Sequence, residues 1–221
     1  MSGPRLLDVR TTPVEDLDVK PIVEHLRGGG LLAYPTETVY GFGGVATDSV
    51  VNRLAALKGR GAKPMLMLVQ GMGAVGDLIW TQEATDLADV FWPGSVTLIL
   101  SDPSERYPAG LRGDSGGVAV RVSPHPLVAA LLEGLDVPLV STSANQSGQP
   151  PALDAQRAME SAASLGADDN LWVLDGGTLP ESPPSTIVDC SEPTPVVVRQ
   201  GTIPLARVRC VLPEIQVAAH E

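Results

Sequence analysis

Between Leu31 and Pro64 the sequence gathers hydroxyl groups, glycines and cations into one short stretch. The run Tyr34-Pro35-Thr36-Glu37-Thr38-Val39-Tyr40-Gly41-Phe42-Gly43-Gly44 offers the Thr36 and Thr38 hydroxyls, the Tyr40 phenol and backbone N–H groups at Gly41, Gly43 and Gly44. All of these can donate to an oxygen-rich ligand. Farther on, Lys58-Gly59-Arg60-Gly61-Ala62-Lys63 sets an ammonium, which acts as a point charge, beside a guanidinium, whose planar fork pairs two phosphate oxygens at once. Such a set suits an anion, and a phosphate above all. Cations at a helix C-terminus also complement its dipole with no ligand involved. Lys58, Arg60 and Lys63 therefore carry two readings, and the neighbouring Pro-Thr-Glu-Thr segment favours binding.

A second cluster, Ser141-Thr142-Ser143-Ala144-Asn145, follows the apolar run Pro138 to Val140. Ligands of α/β sheets collect at the carboxyl ends of strands, although Ser, Thr and Asn are also ordinary turn residues. Val118 to Val122 alternates as a strand and puts Arg121 on one face, where it is either a surface arginine or a site residue. The segment Gly113-Asp114-Ser115-Gly116-Gly117 duplicates the nucleophile signature of trypsin-like proteases. A triad needs a His base oriented by an acid. The only upstream histidine is His25, inside a helical pattern, and no disulfide framework accompanies it, so that reading is set aside.

The elements that must position these groups alternate between helix and strand. Periodicity predicts a helix over 14–27 with Val19, Ile22, Val23 and Leu26 inward, stopped by Gly28-Gly29-Gly30, and then a strand over 31–34. A loop of hydroxyl residues and glycines follows. Thr47 or Asp48 then caps a helix whose Val50, Val51, Leu54 and Leu57 face the core. Further strands are expected over 65–69, 96–100, 118–122, 138–140 and 171–174. Further helices are expected over 82–91 (capped by Thr81), 127–133 and 155–165 (capped by Asp154). Residues 101–117 read as a surface loop. Strands over 185–189 and 196–199 close as a hairpin. Residues 1–13 are expected as an extended lead-in, 14–209 as the α/β domain and 210–221 as a tail.

Composition narrows the function. The 221 residues are 43% hydrophobic but only 4% aromatic, so the core must be aliphatic, and the formal net charge of −11 opposes indiscriminate binding to nucleic acid or anionic membrane. Cys190 and Cys210 lie in apolar stretches and are expected as buried, unpaired thiols. His25, His125 and His220 are too scattered for a metal triad, and His125 reads as a loop residue. No basic-then-apolar leader opens the chain, and no window approaches the roughly 18 apolar residues of a membrane span. A cytoplasmic setting is expected.

Five stretches in order carry a resemblance: Pro35-Thr36-Glu37-Thr38-Val39-Tyr40-Gly41 with Lys58-Gly59-Arg60, Trp92-Pro93-Gly94-Ser95-Val96-Thr97, Val118 to Val122, Ser141 to Gly148, and Ser185 to Asp189 with Arg199-Gln200-Gly201. Together they make the chain similar to the threonylcarbamoyl-AMP synthases of the YrdC-like family, in the short form without the extra C-terminal domain. The resemblance implies a single α/β domain with a twisted mixed parallel/antiparallel sheet and flanking helices. It implies an enzyme that joins L-threonine, bicarbonate and ATP into threonylcarbamoyl-adenylate for tRNA modification, with Mg²⁺ on the phosphates and tRNA-modification proteins downstream. Residue by residue, it places Lys58, Arg60 and Lys63 on the triphosphate and Arg199 on the phosphate end. Ser143 and Asn145 fall where nucleotide and amino acid meet, and Thr36, Arg121 and Ser185 fall on threonine, without protein metal ligands. Leu68 stands where longer members carry a histidine, and Gly61 where proline is usual. The competing class is a double-stranded RNA or tRNA-binding module of the same fold, with the same cations giving weak RNA binding.

Overall fold

The structure, a computed structural model, describes residues 3–59, 64–113 and 115–218. The chain enters as β1 (Arg5–Asp8) and α1 (Lys20–Arg27), then forms a hairpin of β2 (Leu31–Pro35) and β3 (Tyr40–Val45). There follow α2 (Asp48–Lys58), β4 (Leu66–Leu68), α3 (Gln82–Phe91), β5 (Val96–Ser101), β6 (Gly117–Arg121), α4 (Pro126–Leu135) and β7 (Leu139–Ser143). The chain ends with α5 (Ala155–Ser164), β8 (Leu171–Asp175), β9 (Thr186–Asp189), β10 (Val196–Arg199), α6 (Leu205–Arg209) and β11 (Gln216–Val217). The 11 strands of the described residues join one sheet in the order β1-β8-β2-β3-β7-β4-β6-β5-β9-β10-β11. It is mixed: β3 runs antiparallel to both neighbours, whereas β4 and β6, and β5 and β9, pair in parallel.

Local chemistry sets most boundaries. The Thr47 hydroxyl accepts from the Val50 N–H and opens α2, Thr81 does the same for Ala84 in α3, and the Asp154 carboxylate accepts from Arg157 in α5. Gly59, with φ 55°, closes α2 in the left-handed region that glycine tolerates. The first helix starts later than its periodicity predicts. Pro21 has no N–H to give and fits only the first turn, so α1 begins at Lys20, and Val14–Asp16 is a separate 3₁₀ turn.

The largest departure from expectation is β3. Its Gly41, Gly43 and Gly44 read as loop donors but lie in an interior strand, their backbone committed to ladders with β2 and β7. The glycines are there for space. A Cβ on Gly43 would collide with the Val140 carbonyl and stand 2.9 Å from the Tyr34 ring, and one on Gly41 would stand 2.8 Å from the Ser141 hydroxyl. Segments 5–8 and 216–217, expected in lead-in and tail, are extended and pair with β8 and β10. The loop 101–117 includes a 3₁₀ turn, Ala109–Leu111, whose Leu111 is fully buried. Cys190 is buried as expected, but Cys210 is exposed, because the short α6 buries only Val208.

The two faces of the sheet are covered unequally. On one, Phe42, Met67, Val120, Val140 and Val188 pack with side chains of α2, α3 and α5. On the other, α1 and α4 cover Leu32, Tyr34, Leu68, Leu139 and Leu174, over β2, β4, β7 and β8. Strand residues alternate between faces, so Thr97, Ala119, Arg121 and Ile187 share this second face with nothing from α1 or α4 above them. That uncovered part of the sheet is where the site forms.

Candidate functional site

A cavity of about 290 Å³ opens on the uncovered part of the sheet. Thr36, Arg121, Ser143, Ser185 and Arg199, each singled out from the sequence, line it together with Ser141. Thr36 comes from the β2–β3 turn, Arg121 from the end of β6, Ser143 from the end of β7, Ser185 from just before β9 and Arg199 from the end of β10. The serines of β7 reach it from the face of the strand, not from beyond its carboxyl end as the sequence suggested, because Ser141 to Ser143 remain paired with β3. Arg60 and Lys63 lie outside the described residues.

Lys58 and Asn145 adjoin the cavity behind Ser143. The Lys58 ammonium, only 3% exposed, donates to the Ser143 carbonyl at 2.7 Å, to the Asn145 side-chain oxygen at 2.8 Å and to the Asn145 backbone carbonyl. The Ser143 hydroxyl donates to the same Asn145 side-chain oxygen at 2.6 Å. The end of α2 is thus fastened to the end of β7, and the cation expected from sequence stands beside the strand-end cluster.

The two cavity arginines are held differently. Arg199 donates from Nε and Nη2 to the Ser185 carbonyl at 3.1 and 2.9 Å, and from Nη2 to the Ser185 hydroxyl at 3.2 Å. That hydroxyl lies 2.9 Å from the Thr97 hydroxyl. Arg121, 4% exposed, pairs through Nη1 with a Glu37 carboxylate oxygen at 3.2 Å, and its buried Nε has no hydrogen-bond partner among the described residues. Burial pushes both guanidinium groups below their usual pKa; proximity to Arg121 adds to this for Arg199, and Glu37 opposes it for Arg121. Guanidinium groups stay charged in proteins, so these shifts mark a desolvation cost that an incoming anion would offset.

Several expected donors serve the scaffold instead. The Tyr40 phenol donates to the Gly177 carbonyl at 2.7 Å and accepts from the Gly176 N–H, pinning the turn after β8. The Thr36 hydroxyl donates to the Val39 carbonyl at 2.7 Å, closing its own turn at the cavity wall. His25 stacks on Trp172 with ring centroids 3.9 Å apart, and its Nε2 lies 3.2 Å from the Leu31 carbonyl, so it serves no protease triad. Leu68 is fully buried beneath α1 and α4, paired in register with Arg121. His125 is the N-cap residue of α4, and its Nδ1 is buried. Sequence reasoning missed Glu37, which announces itself only as the one acid between two threonines.

Two clustered guanidinium groups, one partnering carboxylate and a wall of hydroxyls make a receptor for a small anion. Among the described residues no nucleophile and base stand paired in it. Among the described residues no group of three or more His, Cys, Asp or Glu side chains is placed to hold a metal ion. A second cavity of about 380 Å³, floored by Ile99, Gly117 and Ala119, meets the first at Pro64 and Ala119. No described helix is long and apolar enough to cross a membrane.

The Sua5/YciO/YrdC family, described as "Telomere recombination", matches residues 24–201. The chain belongs to this family. Family members similar to it include the threonylcarbamoyl-AMP synthase of Pyrococcus abyssi, 34% identical over 208 residues that make up 92% of this chain and 60% of that protein. The threonylcarbamoyl-AMP synthase of Chromohalobacter salexigens is 39% identical over 171 residues, 76% of this chain and 89% of that one. Among solved Sua5/YciO/YrdC structures, P. abyssi Sua5 complexed with L-threonine superposes with a TM-score of 0.85 at 32% identity, over 97% of this chain. The chain spans 62% of that protein's length.

Proposed function

We propose that this protein is a threonylcarbamoyl-AMP synthase, a nucleotidyltransferase that forms L-threonylcarbamoyladenylate and pyrophosphate from L-threonine, bicarbonate and ATP. The observation that carries the reading is the convergence of the buried Arg121 and the exposed Arg199 with Thr36, Ser143 and Ser185 in one cavity. The names of its relatives, and the complex of P. abyssi Sua5 with L-threonine, support the same substrate.

Arg121 receives the threonine carboxylate, flanked by Thr36 and Ser185. Arg199 takes a phosphate of the nucleotide, and Lys58, with Arg60 and Lys63, supplies positive charge for the triphosphate. Ser143 and Asn145 stand where the two substrates meet. The threonine amine forms a C–N bond to the carbon of bicarbonate, whose hydroxyl leaves as water with an amine proton, and an oxygen of the resulting carbamate attacks the α-phosphorus. The new O–P bond forms as the bond to pyrophosphate breaks. The protein's task is in-line positioning and charge neutralisation, so no nucleophilic side chain is needed. The Glu37 carboxylate behind Arg121 is taken up by Arg121, Ser95 and Ser123. Among the described residues no group fits a resident metal, and Mg²⁺ would come with the nucleotide and offset the charge of its phosphates.

The product feeds threonylcarbamoyladenosine modification of tRNA by downstream proteins in the cytoplasm. A double-stranded RNA or tRNA module is disfavoured, since Lys58 and Arg121 are too deeply buried to track a phosphate backbone and the net charge is −11. The test is mass spectrometry of purified protein with ATP, Mg²⁺, bicarbonate and threonine. Pyrophosphate and the adenylate are expected only when both threonine and bicarbonate are present. Salt-sensitive RNA binding without turnover would reverse the assignment.

A further inference from the structure

We infer that Glu37 is a positioning residue for the amino-acid site: it fixes the Arg121 guanidinium and thereby sets threonine affinity, with little part in the chemistry at phosphorus. The inference rests on the synthase reading. Glu37 does not line the cavity, whereas Arg121 does, so any influence on a ligand passes through the arginine. Its carboxylate gathers three partners from separate parts of the fold: the Arg121 guanidinium, an ion pair at 3.2 Å, and two donors, the Ser123 hydroxyl at 2.6 Å and the Ser95 hydroxyl at 3.3 Å. Ser123 follows β6 and Ser95 precedes β5, while Glu37 itself sits in the turn that Thr36 closes. One side chain thus ties the threonine-side turn to the ends of two neighbouring strands.

Arg121 needs such a tie. A long side chain holds a fork in one orientation only when another group fixes it. Glu37 forms an ion pair with the guanidinium at Nη1, and a substrate carboxylate would take two N–H groups of the fork in a bidentate contact. The contrast with Arg199 is informative. That guanidinium is held by the neutral oxygens of Ser185 and keeps its charge uncompensated for a phosphate, whereas Arg121 is held by a carboxylate that tempers its charge for a monoanion. The same two residue types are thereby tuned to two different anions.

The test is Glu37→Gln, which keeps the shape and an acceptor while removing the charge. Steady-state pyrophosphate release and calorimetric titration with L-threonine are the readouts. The variant should bind threonine about tenfold more weakly, as expected for loss of a charge-assisted contact, while the KM for ATP stays within about twofold. Added to Arg121→Lys, it should weaken threonine binding little further, because residues acting as a unit are not additive. Unchanged threonine affinity, equal loss for ATP, or fully additive losses would overturn the inference. Should Glu37→Gln not fold, Ser123→Ala takes its place, removing the 2.6 Å contact but leaving the ion pair. It should raise the threonine KM alone, and no change or a matching rise for ATP counts against the inference. A wild-type protein that neither binds threonine nor releases pyrophosphate overturns the synthase reading and this inference together; an active wild type with an indifferent Glu37→Gln overturns only the latter.

Discussion

The Lys58 ammonium stands 2.8 Å from the Asn145 side-chain oxygen, joining residues 87 positions apart in the chain. The Ser143 and Asn145 backbone carbonyls accept from the same ammonium. Lys58 is therefore both a charge near the cavity and the fastener between α2 and β7. Lys58→Ala should reduce adenylate formation at least about tenfold, the equivalent of roughly 1.4 kcal/mol. It should also lower stability by about 2–3 kcal/mol, because buried acceptors lose a charged donor. Lys58→Met refills the space without restoring the bonds, so it should recover part of the stability and none of the activity. Thermal melts beside pyrophosphate release check both halves, and an unchanged melt in Lys58→Ala would refute the fastening role.

Much of this was readable from sequence where the cause is local. Thr47, Thr81 and Asp154 open their helices because a side-chain oxygen three residues from an unpaired N–H is a short-range device. Thr36, Arg121, Ser185 and Arg199, picked out by the ordered motifs, lie together in one cavity. Long-range causes stayed hidden. Gly41 and Gly43 look like loop residues until Tyr34, Val140 and Ser141 are seen to occupy the space their side chains would need. The strand pattern left Arg121 open as a surface or a site residue, because nothing in it says which half of a sheet face α1 and α4 leave open. Glu37 had no periodicity to mark it, since its partners lie 58 and 86 residues away for Ser95 and Ser123.

Gly43→Ala tests the reading of β3. The added methyl would meet the Val140 carbonyl and lie 2.9 Å from both the Tyr34 ring and its oxygen, so β3 and β7 must spread. Overpacking of this kind costs about 1–3 kcal/mol, and activity should fall with it, because β7 carries Ser141 and Ser143. Gly71→Ala is the control. Gly71 has extended backbone at φ 175° and open space around its Cα, so its substitution should stay within about 0.5 kcal/mol of wild type in urea unfolding.

Acid should destabilise the protein through two histidines. Burial holds His25 below its ordinary 6.5, against the opposing contact with the Leu31 carbonyl, and burial holds His125 below the same value, against the nearby Glu37 carboxylate. Both folded-state values lie under the unfolded one, so the unfolded chain takes up these protons first. Their contribution to stability is complete above pH 6.5 and declines as pH falls from 6.5 through the lower folded-state values. Urea midpoints should therefore drop between about pH 7.5 and 5.5, and His125→Gln and His25→Gln should each flatten the slope. A slope identical in both variants would show that other groups carry it.

The two thiols should separate by reactivity. Cys210 is exposed, its Sγ 3.3 Å from the Ala206 carbonyl, whereas Cys190 is buried and its thiol is pushed up to about 12 by burial, with Asp189 and Glu83 adding to the effect. Only thiolate attacks a disulfide reagent, so at about pH 8 one thiol per chain should react quickly and the other only when the fold opens. Cys210→Ser should abolish the fast phase. Cys190 directly follows β9, whose preceding residue Ser185 is part of the cavity wall, so its labelling reports the opening of the sheet segment that binds substrate. A ligand that binds only the closed form suppresses that opening in proportion to its saturation. Threonine with ATP should therefore slow Cys190 labelling while leaving the Cys210 rate unchanged, and equal slowing of both would mean that the reagent, not the fold, had been affected.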